Sequence, residues 1–132
     1  MTNQAFRRII EDAKLFLEMG GIMELVFIVL NKTDRLNELL TEMMENDLSG
    51  ATVIDSSGMG HLISNQFPMF SMFAELEEES DSNSKTILKV VDTIEERNKT
   101  VEIVEHVCGD LKGPDTAIVF TVPVNFQKGI NY

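Results

Sequence analysis

The stretch that decides the fold is Leu25 to Leu30, which reads LVFIVL. This short, unbroken apolar run is rich in β-branched and aromatic residues, the composition of a buried strand. A turn follows at Asn31 to Asp34, and beyond it apolar and acidic residues alternate at helical spacing. The apolar ones are Leu36, Leu39, Leu40 and Met43, and the acidic ones are Glu38, Glu42 and Glu45. The pattern predicts a first strand and then an amphipathic helix that ends near Asn46.

Three further strands and a second helix follow the same logic. The predicted strands are Ala51 to Asp55, Thr86 to Val91 and Ala117 to Val122, the last ended by Pro123, which cannot donate to a sheet ladder. Thr93, with Glu96 three residues on, has the spacing of a capping box and begins the second helix. The apolar side of that helix is predicted to hold Ile94, Val101, Val104 and Cys108, and Gly109 ends it.

The order strand, helix, strand, strand, helix, strand predicts an α+β, ferredoxin-like βαββαβ fold. In this fold two helices cover one face of a four-stranded antiparallel sheet. An extra helix is predicted within residues 1–22, from a helical repeat that stops at Gly20 and Gly21. Its apolar residues are Phe6, Ile9, Ile10, Ala13, Phe16 and Leu17. The alternative is that translation begins at Met23, after a purine-rich ribosome-binding stretch read as Met19 to Met23.

Composition narrows the class of protein. A chain of 132 residues, 43% of them apolar, predicts one compact domain. It has no apolar run long enough to span a membrane and no secretory signal, and its single cysteine fits a reducing compartment, so we expect a cytoplasmic protein that is not membrane-embedded. A net charge of −11 argues against nucleic acid as a partner. Because no nucleophile, P-loop or zinc motif is present, we expect no enzyme and no metal site.

The connection between the second and third strands is far longer than a hairpin loop. It runs from about Ser56 to Lys85, is predicted to be polar and structureless, and is of a length that is usually functional. At its foot, Gly58 and Gly60 are expected to take positive φ. Farther on, the segment FPMFSMF contains an apolar group that either binds a partner or folds back onto the core. Its members are Phe67, Met69, Phe70, Met72 and Phe73.

These residues resemble the PII family of nitrogen-regulatory signalling proteins between Met23 and about Ile130. In that family the second strand carries Gly-x-Thr-Val and leads to Gly-aromatic-Gly at the base of the long T-loop. Here the corresponding residues read GATV from Gly50 to Val53 and GMG from Gly58 to Gly60. The family's glycine-rich B-loop corresponds to GDLKGPD, Gly109 to Asp115.

The resemblance implies a homotrimer that binds a small effector, usually an adenine nucleotide, in clefts between subunits. The ligand then changes the T-loop, residues 58–85 here, which controls a transporter, an enzyme or a regulator. It also implies which residues meet the ligand. They are Thr52, which would face the adenine; Gly58, Met59, Gly60 and His61 at the loop base; and Gly109, Asp110, Leu111, Lys112 and Gly113 in the B-loop-like segment.

The chain also departs from the family pattern. Ile118 occupies the region of a phosphate-binding lysine, and Lys128 is the only base after Pro123, whereas the family has arginines there. Leu62 replaces a polar residue near the family's magnesium and 2-oxoglutarate, and the loop offers no tyrosine for uridylylation. These differences leave a less phosphorylated or different ligand open. The alternative function is a metal-responsive or structural trimer of the CutA kind that binds no nucleotide.

Overall fold

The computed structural model describes residues 2–18, 21–66 and 83–130. Helix α1 spans Asn3–Glu18 and strand β1 spans Gly21–Leu30. A 3-10 turn at Thr33–Arg35 leads into α2, Leu36–Glu45, and β2 covers Thr52–Ser57. The remaining elements are α3 (Met59–Gln66), β3 (Asn83–Thr93), α4 (Ile94–Cys108) and β4 (Ala117–Pro123).

The four strands form one antiparallel sheet in the order β2-β3-β1-β4. β1 pairs with β3 and with β4, so it lies in the interior of the sheet, while β2 and β4 are its edges. This order, with α2 and α4 as the two crossover helices, is the ferredoxin-like α+β fold that the sequence predicts. The extra N-terminal helix is also confirmed.

Residues that alternate along the strands build the core beneath α2 and α4. Val26, Ile28 and Leu30 of β1 lie opposite Lys89, Ile87 and Lys85 of β3. The fully or nearly fully buried apolar side chains of this helix-covered face and its helices include Val26, Ile28, Leu30, Ile87, Val91, Leu39, Met43, Ile103, Val104, Val107 and Cys108. The two helices cover the face because their apolar residues recur every three to four positions.

The ends of α4 follow from two residues. Thr93 is its N-cap, and the Thr93 hydroxyl accepts a hydrogen bond from the backbone N–H of Glu96 at 3.1 Å, as the capping spacing predicts. Gly109 ends the helix at a φ of 82°, and its N–H donates to the carbonyl of Glu105. The prediction that Ile94 lies on the buried side is wrong. It is the first residue of the helix and is exposed, and the buried face runs instead through Thr100, Ile103, Val104, Val107 and Cys108.

Several predicted boundaries shift. β1 begins at Gly21, which pairs with Thr93. The strand therefore starts within residues 1–22, the segment predicted to hold only the extra N-terminal helix. β3 runs from Asn83 to Thr93, longer than predicted at both ends. β4 includes Pro123, which an edge strand tolerates because one side of it forms no ladder. The predicted structureless connection is wrong in part, since Met59–Gln66 forms α3.

The opposite face of the sheet, which we call the open face, is less covered than the first, since Ile54, Ile118, Phe120 and Val122 are exposed on it, although Ser84 is buried. Its side chains follow from the pairing register: Leu25, Phe27 and Val29 of β1; Ser84, Thr86, Leu88 and Val90 of β3; Ile118, Phe120 and Val122 of β4; and Thr52, Ile54 and Ser56 of β2. Phe27 and Phe120 stack there, with ring centroids 4.8 Å apart. The only charged residue that strand alternation adds to this described face is Asp92 at the end of β3, although charged residues make up 25% of the chain.

Candidate functional site

The two glycine-containing segments that the sequence singles out lie at the same end of the sheet. β1 ends at Leu30, which pairs with Ala117, the first residue of β4. On the other side, Ser57 at the end of β2 pairs with Asn83 at the start of β3. The chain therefore leaves the sheet toward Gly58 and returns from the 109–116 segment at one common end, which we call the loop end.

Hydroxyl and ionic contacts hold β2 to β3 up to the loop end. The Ser56 hydroxyl lies 2.6 Å from the hydroxyl of Ser84 and 2.8 Å from that of Thr86. Ser57 donates to the side-chain oxygen of Asn83 at 3.1 Å, and Lys85 forms an ion pair with Asp55. The strand pair thus stays bonded until the chain departs, which fixes the foot of the long connection.

The predicted positive φ at the loop base is wrong. Among the glycines that the structure describes, Gly50, Gly109 and Gly129 have positive φ, whereas neither Gly58 nor Gly60 adopts that conformation. The reason is α3, because its first turn begins at Met59 and the N–H of Leu62 donates to the carbonyl of Gly58. A methyl group added at Gly58 or Gly60 would meet nothing within 4 Å, so neither glycine is required by a close backbone approach.

The structure describes only some of the other residues that were predicted to act in the long connection. Met59 is largely exposed at the start of α3, where a ligand or partner can reach it. The side chain of His61 lies outside the described part of the chain, and so do Phe67, Met69, Phe70, Met72 and Phe73. Their assignment to the ligand and the partner stays a prediction.

The 109–116 segment is a closed series of turns. The carboxylate of Asp110 accepts a hydrogen bond from the backbone N–H of Lys112 at 3.0 Å, and the carbonyl of Asp110 accepts one from Gly113. The Thr116 hydroxyl donates to the carbonyl of Gly113 at 3.1 Å. Leu111 packs against the hydrophobic core, while the side chain of Lys112 is exposed. Of the predicted contacts here, Lys112 is therefore the side chain most available to a ligand.

Lys32 is a functional candidate that sequence reasoning missed. Its ammonium donates to the carbonyl of Cys108 at 3.2 Å, and its backbone N–H, like that of Asn31, donates to the carbonyl of Thr116. These bonds join the end of β1 to both ends of the 109–116 segment. The signal in the sequence is a base directly after the first strand of an acidic chain.

The Cys108 thiol lies beneath this junction. Burial raises its pKa above the ordinary value, and the nearby charges of Lys32 and Arg35 lower the pKa by less. The thiol is consequently held in its neutral form, and Cys108 fills the core as a small apolar residue, as the sequence suggests.

Thr52 does not join the loop-end residues. It is at the start of β2 and lies opposite Leu88 on the open face. Ser57 is five residues farther along β2, which is about 16 Å along an extended strand. A single ligand that contacts both Thr52 and the loop base would have to lie lengthwise along β2.

Strand order also keeps the two glycine segments of one chain apart. β2 and β4 are separated by β3 and β1, and three strand spacings of about 4.8 Å amount to roughly 14 Å. The loop base and the 109–116 segment thus share one end of the sheet but stand at its opposite edges. Two copies placed edge to edge would bring the loop base of one beside the 109–116 segment of the other.

The described residues contain neither a membrane-spanning helix nor a cluster of metal-binding side chains. No helix in residues 2–18, 21–66 or 83–130 combines the length and apolar character needed to cross a membrane. Over the same ranges, no group of three or more His, Cys, Asp or Glu residues is placed to hold a metal ion. The His106 ring nitrogen does lie 2.7 Å from a carboxylate oxygen of Glu42, but that pair links α4 to α2 on the surface.

Comparison with known proteins supports the fold and nothing beyond it. No family's sequence profile matches the chain, and no curated protein matches it. Among solved structures, the chain is similar to a protein of Pediococcus pentosaceus ATCC 25745 described as functionally unknown. The TM-score is 0.55 and the sequence identity 14%, and the match covers 83% of this chain and 98% of that one. At this identity the likeness supports the architecture and assigns no ligand or partner.

Proposed function

We propose that this chain is a PII-like signalling protein that binds a small effector between subunits of a homotrimer and controls a target protein through residues 58–85. The observation that carries the proposal is the common position of the loop base and the 109–116 segment at one end of the sheet, on opposite edges. Two of the three family-like motifs, Gly58 to Gly60 and Gly109 to Asp115, are at these two places, while Gly50 to Val53 is at the other end of β2.

The edges favour a closed ring of copies. A contact between the β2 edge of one copy and the β4 edge of the next is head-to-tail, and such contacts close into rings when the rotation permits. Each junction would then pair a loop base with the 109–116 segment of its neighbour. A trimer made in this way has three equivalent clefts, and a ligand in one cleft touches two subunits.

Two exposed lysines support an anionic ligand at these clefts, in spite of the net charge of −11 and of the exposed Asp110 and Asp115 in the same segment. Lys112 is part of the 109–116 segment, and Lys32 is bonded to Cys108 and Thr116 at its two ends. Both lysines are exposed at the loop end. Ammonium groups and the N–H groups of turns are the usual partners of phosphate oxygens. An adenine nucleotide with few phosphates fits this small number of cations better than ATP with its metal.

The effector step follows from the foot of the connection. β2 and β3 are tied together up to Ser57 and Asn83, so a ligand at the loop base acts on a segment whose two ends are fixed. A ligand that prefers one conformation of residues 58–85 shifts the segment toward it by its difference in affinity. In this proposal the segment then engages or releases a transporter, an enzyme or a regulator, and the chain itself catalyses no reaction.

Thermal unfolding of the full chain with AMP, ADP and ATP tests the proposal. A ligand at a hundred times its Kd stabilises the folded state by about 2.7 kcal/mol, which raises the melting temperature by several degrees. We expect a shift with at least one nucleotide, abolished by Lys112→Glu and retained in the matched control Lys99→Glu, because Lys99 lies on α4 away from the loop end. The absence of a shift with all three nucleotides would contradict nucleotide binding, and a shift with Zn²⁺ or Cu²⁺ alone would favour the CutA-like alternative.

A further inference from the structure

Helix α1 presents an apolar face that no other described residue of its chain covers. Phe6, Ile9, Ile10 and Ala13 recur at helical spacing along one side, and all four are exposed. Phe6 and Ile9 are 55% and 54% exposed, which is unusual for large apolar residues aligned on one helix face. Over residues 2–15, α1 therefore does not pack on the sheet of its own copy.

The open face of the sheet is the second exposed apolar surface. Ile118, Phe120, Val122 and Ile54 are each more than a third exposed there. A helix of 16 residues is about 24 Å long and about 10 Å wide, which is the width of two to three strands. α1 thus has the length and breadth to lie across β1 and β4, the more apolar half of the open face.

Charge identifies the occupant. The chain has a net charge of −11, so two copies repel each other wherever their charged surfaces meet. By the alternation of β3, the open face contains one charged residue, Asp92 at the end of the strand, and on α1 the bases Arg7, Arg8 and Lys14 balance Glu11, Asp12 and Glu18. Among the described residues, a second copy of so acidic a chain can therefore approach through these two surfaces with little of that repulsion. An anionic lipid surface, in contrast, would repel the chain as a whole.

We propose that α1 of one copy docks through Phe6, Ile9, Ile10 and Ala13 on the open face of a second copy, against the stacked pair Phe27 and Phe120. α1 ends at Glu18, three residues before β1 begins, so it is attached to its own sheet only at this end. In the proposed contact the helix extends from there to the neighbouring copy. The exchange goes beyond the proposed signalling role, because it needs only that two copies meet and requires no ligand.

A crosslink between two different chains tests the docking directly. Ile10→Cys in a tagged chain and Phe120→Cys in an untagged chain are co-expressed and then oxidised with glutathione disulfide. Because each chain has one of the two new thiols, only contact between copies can join them, and only when the two Cα atoms come within about 7 Å. Cys108 is buried, so the pair of unmodified chains supplies the background.

Leu15→Cys in place of Ile10→Cys is the matched control. Leu15 is 55% exposed on the same helix but lies on its opposite side, half a turn away from Phe6 in projection. We expect the mixed disulfide to form several-fold more with Ile10→Cys than with Leu15→Cys. Adding Ile9→Asp to the Ile10→Cys chain should reduce the yield about tenfold, because a carboxylate would have to enter an apolar contact.

Three results would overturn the proposal. They are equal yields from the Ile10→Cys and Leu15→Cys pairs, no disulfide above the unmodified background, and crosslinks only between two Ile10→Cys chains, which would place α1 against another α1. Circular dichroism of each variant verifies that the chains are folded. If nucleotide binding persists while the crosslink fails, the helix exchange is refuted and the signalling proposal is not.

Discussion

The two faces of the sheet are made by the same strands, residue by residue in alternation, yet they differ in what covers them. The helix-covered face contains the buried apolar residues, among them Ile28 and Ile87, each with no exposed surface. The open face is apolar as well, but Ile118 on β4 is 56% exposed. Burial on the first face stabilises the single chain, and in the assembly that we propose the second face would be buried between copies. Apolar strand residues thus build one face that the single chain buries and another whose apolar side chains stay partly exposed among the described residues.

The largest expected effect is a difference between two isoleucines. Ile28→Ala removes buried methyl groups from the helix-covered face and should lower the free energy of unfolding by about 2–5 kcal/mol. Ile118→Ala on the open face should cost about 0.5 kcal/mol or less in dilute solution. Urea unfolding of both variants measures the difference. Equal losses in dilute solution would show that both faces stabilise the single chain to the same extent. A loss for Ile118→Ala that appears only at high protein concentration would indicate that the open face is buried between copies.

The second largest expected effect is a difference in stability between alanine substitutions at two glycines of the loop end. Gly109 has φ 82° and ψ −160° where α4 leaves the helix-covered face, a region that is nearly restricted to glycine, so Gly109→Ala should cost about 1–3 kcal/mol. Gly58→Ala should be neutral or slightly stabilising, because its φ is not left-handed and the added methyl group meets nothing.

Urea unfolding at one protein concentration provides the test of the glycine pair. A loss of stability in Gly58→Ala as large as that in Gly109→Ala would contradict a positive φ at Gly109 and its absence at Gly58.

The third effect concerns the N-terminus of α4, one of the two helices on the helix-covered face. Thr93→Ala leaves the N–H of Glu96 without its cap and should destabilise the chain by about 1 kcal/mol. Thr41→Ala is the control, because Thr41 is an exposed residue within α2 whose hydroxyl donates to the carbonyl of Asn37. Hydrogen exchange should quicken in the first turn of α4 for Thr93→Ala alone, and equal exchange in both variants would disprove the capping role.

The smallest effect is at an ion pair that joins α4 to the helix-covered face. A Glu24 carboxylate oxygen lies 3.2 Å from the Arg97 guanidinium, and the other oxygen accepts from the Thr121 hydroxyl at 3.1 Å. Glu24→Gln should lower the free energy of unfolding by about 1 kcal/mol or less, and by still less at high salt. Glu38→Gln, which alters the more exposed Arg35 pair, is the control, and a loss for Glu24→Gln that does not change with salt would contradict an ionic contribution.

Much of this fold could be predicted from local patterns. The run Leu25 to Leu30 gave the central strand, and the Thr93 and Glu96 spacing gave the start of α4 to the residue, because each depends on neighbours in sequence. The start of β1 at Gly21 could not be predicted, since it depends on pairing with Thr93, far along the chain. Helix α3 was missed because Met59–Gln66 is short and lacks a clear apolar repeat.

The candidate site was less predictable than the fold. Motif likeness singled out the 109–113 segment, yet only the folded chain reveals that Leu111 packs against the core and that Lys32 bonds to the end of α4. The positive φ assigned to Gly58 came from residue type alone, and the helix that follows it determines otherwise. Residue identity predicts what a position permits, while its neighbours in space decide what it adopts.

Native mass spectrometry of the intact chain, purified gently from its own source, tests the central claim most directly. One spectrum gives the number of subunits and the mass of any small molecule retained between them. We expect three chains with a nucleotide-sized addition that is lost together with the trimer on activation. A stable monomer would refute both the cleft between subunits and the docking of α1 on a second copy.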